Sequence, residues 1–197
     1  MDLATLNEHY RYYQENEHQF LDTERYAFVS YRRCKNTYSF VYANILFNIC
    51  SDFESLIRAY FGEENDNPMD INEIIRLIKS DANLSKALDE KASFKNSDYV
   101  SMQPLAVNVD NRNGNESFKW WGAYNKVKHN KVAKIFHANQ ENVVNALAGL
   151  YILNRYILSI ITPEGDVDVF PYDKQYFKLD NLKTTAILLS QAVAITK

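Results

Sequence analysis

The sequence predicts an all-α fold, a helical bundle, on three observations. Only 5 glycines occur in 197 residues. Apolar residues recur with a helical period over long stretches, and regularly spaced short strands are lacking. We expect one domain, 1–197, with a bundle core over about 36–162 and a less regular C-terminal extension, 163–197, with room for a short strand. The length suits one sizeable core rather than two. Hydrophobic residues at 46% and charged residues at 24% give the balance of a chain that folds.

The first 35 residues place apolar or aromatic side chains at Leu6, Tyr10 and Tyr13, then at Phe20, Tyr26, Phe28 and Tyr31. The polar stretch "QENEH" separates the two sets, which predicts a short helix and a second one ending near "YRRCKN". A long helix follows over 38–61, with Asn36 or Thr37 as its N-cap and Gly62 as its stop. It is apolar around most of its circumference and should lie at the centre. A polar stripe of Asn44, Asn48, Ser51, Ser55 and Arg58 interrupts it, at the spacing of a solvated face. After the acidic loop "GEENDNPM", Asp70 and Glu73 form a capping box that starts the helix "INEIIRLIKSD". Residues 81–115 are less regular, with a short helix at "LSKALDEKA" and the Asn-rich loop "NVDNRNGN".

A further helix starts near Ser117 and is broken by "HAN" at 137–139. Asn139 then caps the most apolar helix, over 140–161. The short connection places these two helices antiparallel and in contact. Beyond Ile161, "TPEGDVDVFPYDKQYFKLDN" reads as loop with one short strand, and the period of residues 182–197 is ambiguous between helix and strand.

Several function classes are disfavoured. The glycines form no phosphate loop, dinucleotide fingerprint or nucleophile elbow. His9, His18, His129 and His137 have no ligand partners at zinc spacing, and Cys34 and Cys50 sit in or beside apolar patterns, so neither a metal nor another cofactor is expected. The polar, aromatic N-terminus does not read as a secretory signal, and Asn145, Asn154 and Arg155 interrupt the longest apolar run. We expect a cytoplasmic protein with no membrane span.

The stretch "WWGAYNKVKHNKVAKIF", 120–136, holds four lysines and a histidine and no acid, in a chain of net charge -3. A solvated helix ordinarily mixes signs. On a helix Trp121, Asn125 and His129 share a face, so Asn125 would hold the His129 ring. Lys126, Lys128, Lys131 and Lys134 fan around the other sides, an arrangement suited to an RNA backbone. Trp120, Trp121 and Tyr124 either stack on bases or anchor the helix.

The pattern "YNKVKHNK", followed by a break and the apolar "NVVNALAGLYILN", resembles the signature helix pair of the HEPN superfamily, small helical domains of prokaryotic defence and toxin systems. The resemblance covers 117–154 well and 38–62 loosely. It implies a HEPN-like bundle, a homodimer, and a metal-independent ribonuclease site built from two protomers. In that family an Arg, commonly a polar residue, and a His form the motif. His129 matches the histidine and Asn125 the polar residue, while Tyr124 stands where the arginine would be and Arg112 lies outside the spacing.

An active site of this kind would use His129 to take a proton from a ribose 2′-OH and a cation to stabilise the phosphate transition state. Lys128 adjoins His129 but points about 100° away around the helix. The long helix offers Ser51 or Glu54 as a supporting polar residue and Arg58 as a guanidinium. The resemblance, with the basic run, thus implies a HEPN-like RNA-binding or RNA-cleaving protein of a prokaryotic defence or stress system. The alternative is a catalytically lapsed scaffold for dimerisation or for a partner protein of antitoxin or nucleotidyltransferase type. A third reading, a Trp-rich helix that is purely core, requires His129 and Asn125 to be sealed inside one protomer.

Overall fold

The computed structural model describes residues 1–63, 69–111, 113–162 and 176–182. The expected loop at 64–68, Arg112, the segment 163–175 and the helix-or-strand segment from 183 onward lie outside the described residues. The molecule is mostly helical with a few short strands. Its core is formed by three mutually packed helices: α1 (Leu3–Asp22), α3 (Phe40–Phe61) and α7 (Gln140–Ile161).

α1 corrects the expected break at "QENEH", for it runs unbroken through that stretch and buries Asn16 and Glu17. Both are satisfied: Asn16 donates to Asp52 Oδ2 at 2.6 Å and to the Tyr12 carbonyl at 3.0 Å, and Glu17 accepts from the Tyr13 hydroxyl. Polar groups paired in this way cost little to bury. The second helix expected near "YRRCKN" is the single turn α2 (Tyr31–Cys34).

α3 begins at Phe40, with Ser39 rather than Asn36 or Thr37 as its N-cap. Thr37 instead accepts from the Gln140 amide at 2.9 Å, and Tyr38 pairs with Asn139, so α3 and α7 start side by side. Gly62 stops α3 as expected, with φ 72°, a conformation that glycine adopts without a Cβ penalty. Asn44, Asn48, Ser51 and Ser55 are exposed, as a solvated face requires.

α7 is the most buried helix, capped by Asn139 as expected. Among the described residues it is the one helix long and apolar enough to cross a membrane, but 78% of that apolar window is buried inside the bundle. Its Gln140 side chain ties down the irregular stretch after α1, donating to the Phe28 carbonyl at 2.8 Å and accepting from the Ser30 amide at 3.0 Å.

α4 (Ile71–Ser80) starts at Asp70, whose carboxylate accepts from the Asn72 amide. The helix expected at "LSKALDEKA" is a 3-10 stretch, Leu84–Asp89, leading into β1 (Ala92–Phe94). One feature corrects the all-α reading locally. The Asn-rich loop connects a small antiparallel hairpin, β2 (Val107–Val109) and β3 (Glu116–Phe118), with Gly114 at φ 70° in the turn. β4 (Phe177–Leu179), the short strand expected in the C-terminal extension, pairs antiparallel with β1.

Glu90 holds that pairing. It is fully buried, and its carboxylate accepts from the amides of Asp180, Asn181 and Leu182 at 3.0, 2.8 and 3.1 Å and from the Tyr156 hydroxyl at 2.6 Å.

Candidate nucleic-acid interface

The basic run is carried by α5 (Lys119–His129) and the single turn α6 (Lys131–Lys134). α5 starts near Ser117 as expected, directly after β3, but it ends at Asn130 rather than at "HAN". Asn130 leaves the helical region at φ -151°, ψ 73°, and its side chain accepts from the Ala133 amide to open α6. The four lysines therefore do not fan around one helix. Lys126 and Lys128 lie on the last turn of α5, where the helix dipole favours cations, and Lys131 and Lys134 lie beyond the break.

The tryptophans anchor this unit. Trp120 and Trp121 are buried, and both rings pack against Phe53, at 5.3 and 6.0 Å between centroids. Trp120 Nε1 donates to the Pro104 carbonyl at 2.8 Å, and its ring covers Gly149, which brings α5 against α7 as the short connection required. Neither indole is free to stack on a base. Tyr124, half-buried, packs edge-on against Trp121 and Phe47, each at 5.5 Å.

The charged groups sit on the outside of this anchored helix. Lys126, Lys128, His129, Lys131 and Lys134 are all exposed, and none forms an ion pair with a described residue. Lys128 lies over the Tyr124 ring at 5.4 Å, Lys131 over Phe47 at 5.2 Å and Lys134 over Phe136 at 5.9 Å. These contacts orient the ammonium groups without neutralising them.

The expected support of the His129 ring is absent: among the described residues neither Asn125 nor His129 makes a side-chain hydrogen bond. The two share a face, but His129 is the last residue of α5, where the chain turns away. Its exposure removes the purely core reading, which applies to the tryptophans alone.

The predicted guanidinium does not reach the site. Contacts of Trp121 with Phe53, Tyr124 with Phe47 and Lys131 with Asn44 show α5 running antiparallel along α3. His129 therefore lies near the Asn44 end, whereas Arg58 is four helical turns away, about 20 Å along the axis. Arg58 and Glu54 are engaged with each other, Nη2 to Oε1 at 2.8 Å, and Glu54 also accepts from the Met69 amide at 2.8 Å. Ser51 is exposed on the polar stripe, about 10 Å from the level of Asn44. Lys128 remains the cation nearest to His129 in sequence.

His137 belongs to the cluster although nothing in its local pattern marked it. Burial first, then the charges of Lys126 and Lys134, hold its pKa below the ordinary histidine value, and its ring lies 4.3 Å from that of Phe136. Clefts of about 630, 390 and 380 Å³ open elsewhere on the molecule, and neither His129 nor Asn125 lines any of them. Among the described residues no group of His, Cys, Asp and Glu is placed to hold a metal ion. The site is an exposed, cationic surface. No family model, no curated protein and no solved structure matches the chain.

Proposed function

We propose that this protein is a HEPN-like RNA-binding domain of a prokaryotic defence or stress system, acting as a homodimer in the cytoplasm. One observation carries the reading: Lys126, Lys128 and His129 on α5, which two buried tryptophans pin, and Lys131 and Lys134 on α6 form a cationic surface with no ion pair to a described residue. A cluster of unneutralised ammonium groups in a chain of net charge -3 suits a phosphate backbone, which supplies affinity by counterion release. The HEPN likeness rests on "YNKVKHNK" ahead of the apolar α7.

The geometry favours binding over cleavage. A metal-independent ribonuclease needs a positioned base and a cation at the developing charge. In one protomer the His129 ring has no orienting partner, Tyr124 is packed where the motif arginine would stand, and Arg58 is engaged elsewhere. This supports the lapsed scaffold as the second reading, with a partner protein of antitoxin or nucleotidyltransferase type.

RNA titrations between 50 and 200 mM salt, with EDTA present, test the reading. Affinity should fall steeply with salt, and each lysine changed to glutamine should lower the slope of log affinity against log salt by about 0.7–0.9. A fourfold Lys→Gln variant with unchanged affinity and slope would rule out this surface. Cleavage in EDTA that His129→Ala lowers by about a hundredfold or more would restore the ribonuclease reading.

A further inference from the structure

We infer that the exposed rings of Phe136 and Tyr38, beside the lysines of α5 and α6, are stacking platforms for unpaired bases, so that this surface takes single-stranded or looped RNA rather than duplex. The inference rests on the RNA reading above and names the form of RNA bound. The tryptophans of α5 are buried and leave that contact to other rings.

Most of the large apolar side chains exposed among the described residues fall in two segments, 26–41 and 132–136. The two segments meet. Tyr38 pairs with Asn139, the Gln140 amide donates to the Thr37 carbonyl at 2.9 Å, and Lys131 Nζ donates to Asn44 Oδ1 at 3.4 Å, one turn or about 6 Å along α3 from Phe40. Exposed rings and exposed ammonium groups therefore share one end of the molecule, where Phe136 is 47% exposed, Tyr38 53% and Phe40 64%. Two nearby acids are each paired with a cation of their own: Asp22, which lines the groove beside Tyr38, with Arg25 at 3.1 Å, and Glu141 with Lys119 at 2.7 Å.

The backbone under Phe136 is held, although its side chain is not buried. Phe136 sits in the 3-10 turn Ile135–His137, which leads into the fully buried Ala138, and the His137 carbonyl accepts from Asn142 Nδ2 at 2.9 Å. A ring already held in place costs less entropy to bind than a loose one. The His137 ring lies 4.3 Å from it, and because burial and the charges of Lys126 and Lys134 keep the His137 pKa below its ordinary value, the ring pair is uncharged at neutral pH. Lys134 Nζ stands 5.9 Å from the Phe136 centroid, at the outer limit of a cation–ring contact, so little holds it back from a phosphate.

A nucleic-acid strand answers both parts of this pattern. Its phosphates suit the lysines and its bases suit the rings, since every base has a π-face. In a duplex those faces are stacked on one another, so only unpaired nucleotides reach rings on the protein. A lipid surface takes an amphipathic helix with one apolar face, whereas α6 is a single turn and these rings come from two separate segments.

The test titrates the whole chain with two labelled RNAs of equal length, a single strand and a hairpin duplex, followed by fluorescence anisotropy. The single strand should bind at least about fivefold tighter. Phe136→Ala and Tyr38→Ala should each weaken it by at least about fivefold without changing the slope of log affinity against log salt, because no phosphate contact is lost. Phe136→Leu, which keeps apolar bulk without the ring, should weaken it in the same way, and Phe136→Tyr should retain it, all with unchanged circular dichroism. Tyr12→Ala, which removes a ring 58% exposed on α1, should change neither affinity nor slope. Ring variants that bind as wild type, or a duplex preferred to the single strand, overturn the stacking and leave the lysine surface standing, whereas a wild type that binds neither RNA overturns both. Binding to phosphatidylserine vesicles that Phe136→Ala abolishes while RNA affinity is unchanged would assign the rings to a lipid surface and overturn the inference.

Discussion

At the residue scale the structure turns on how a few polar side chains are buried. Asp52 is half-buried beside α1, and desolvation raises its pKa above 3.8 against the opposing hydrogen bond from Asn16. Raised in the folded state, the ionised carboxylate opposes folding above its folded pKa, and the penalty vanishes below the unfolded value. Asp52→Asn keeps an acceptor for Asn16 and removes the charge. Thermal melts should show the variant at least as stable as wild type at pH 7, with the advantage gone below about pH 4. A variant less stable at every pH would mean that Asn16 needs the carboxylate. Asn16 and Glu17 also explain why the N-terminal helix was misread: their partners Asp52 and Tyr13 satisfy them in the folded core, and the Asp52 contact spans 36 residues. Of the site residues, the exposure of the lysines was legible from the missing acids. The engagement of Arg58 by Glu54 was also visible as an i, i+4 pair, but its distance from His129 depends on the antiparallel course of α5, which no local pattern carries.

At the element scale α3 and α7 were legible because nearly all-round apolarity leaves a helix no place but the centre. The end of α5 was not, since "KHNKVAK" keeps helical composition on both sides of Asn130 and only the switch of that residue from C-cap to N-cap breaks it. The hairpin of β2 and β3 escaped because strands of three residues carry too little alternation to register. The contact of α5 with α7 depends on one missing Cβ. A methyl group on Gly149 would stand 3.0 Å from Leu105 Cδ2 and 3.4 Å from Trp120 Cζ2, both on fully or nearly fully buried side chains. Alanine gains up to about 1 kcal/mol of helix propensity, while overpacking in a dense core costs about 1–3 kcal/mol. Gly149→Ala should therefore destabilise in urea melts by about 1 kcal/mol, and with both tryptophans on α5 their fluorescence should report it. A stabilised variant would mean that Leu105 and Trp120 yield.

At the scale of the whole molecule the two ends of the described chain are joined to the bundle differently. α1 is bound by core packing along its length, whereas residues 176–182 combine one core ring, Phe177 against Phe94 and Tyr151, with the β1 ladder and the Glu90 carboxylate. Glu90→Ala would leave the Asn181 and Leu182 amides and the Tyr156 hydroxyl without this acceptor, while the Asp180 amide keeps the Lys91 carbonyl at 3.1 Å. The loss should reach at least about 3 kcal/mol if those groups stay buried. Hydrogen exchange should show whether they do: protection lost at Phe177 and Leu179 but kept in α3 and α7 marks a local opening, and uniform loss marks a global one. Unchanged protection at β4 would show that the β1 ladder suffices.

The same hub sets an order of events as the chain is made. The amides that satisfy Glu90 lie 90 to 92 residues after it. At ribosomal rates of about 5–20 residues per second, on the order of five to twenty seconds separate the acceptor from its donors. α1 to α4 precede Glu90 and α5 to α7 are synthesised within that interval, so the bundle can assemble while the β1 edge is still unpaired. Until residues 176–182 arrive, the nascent protein carries an open strand edge beside a carboxylate that Tyr156 and the Lys91 amide satisfy only in part.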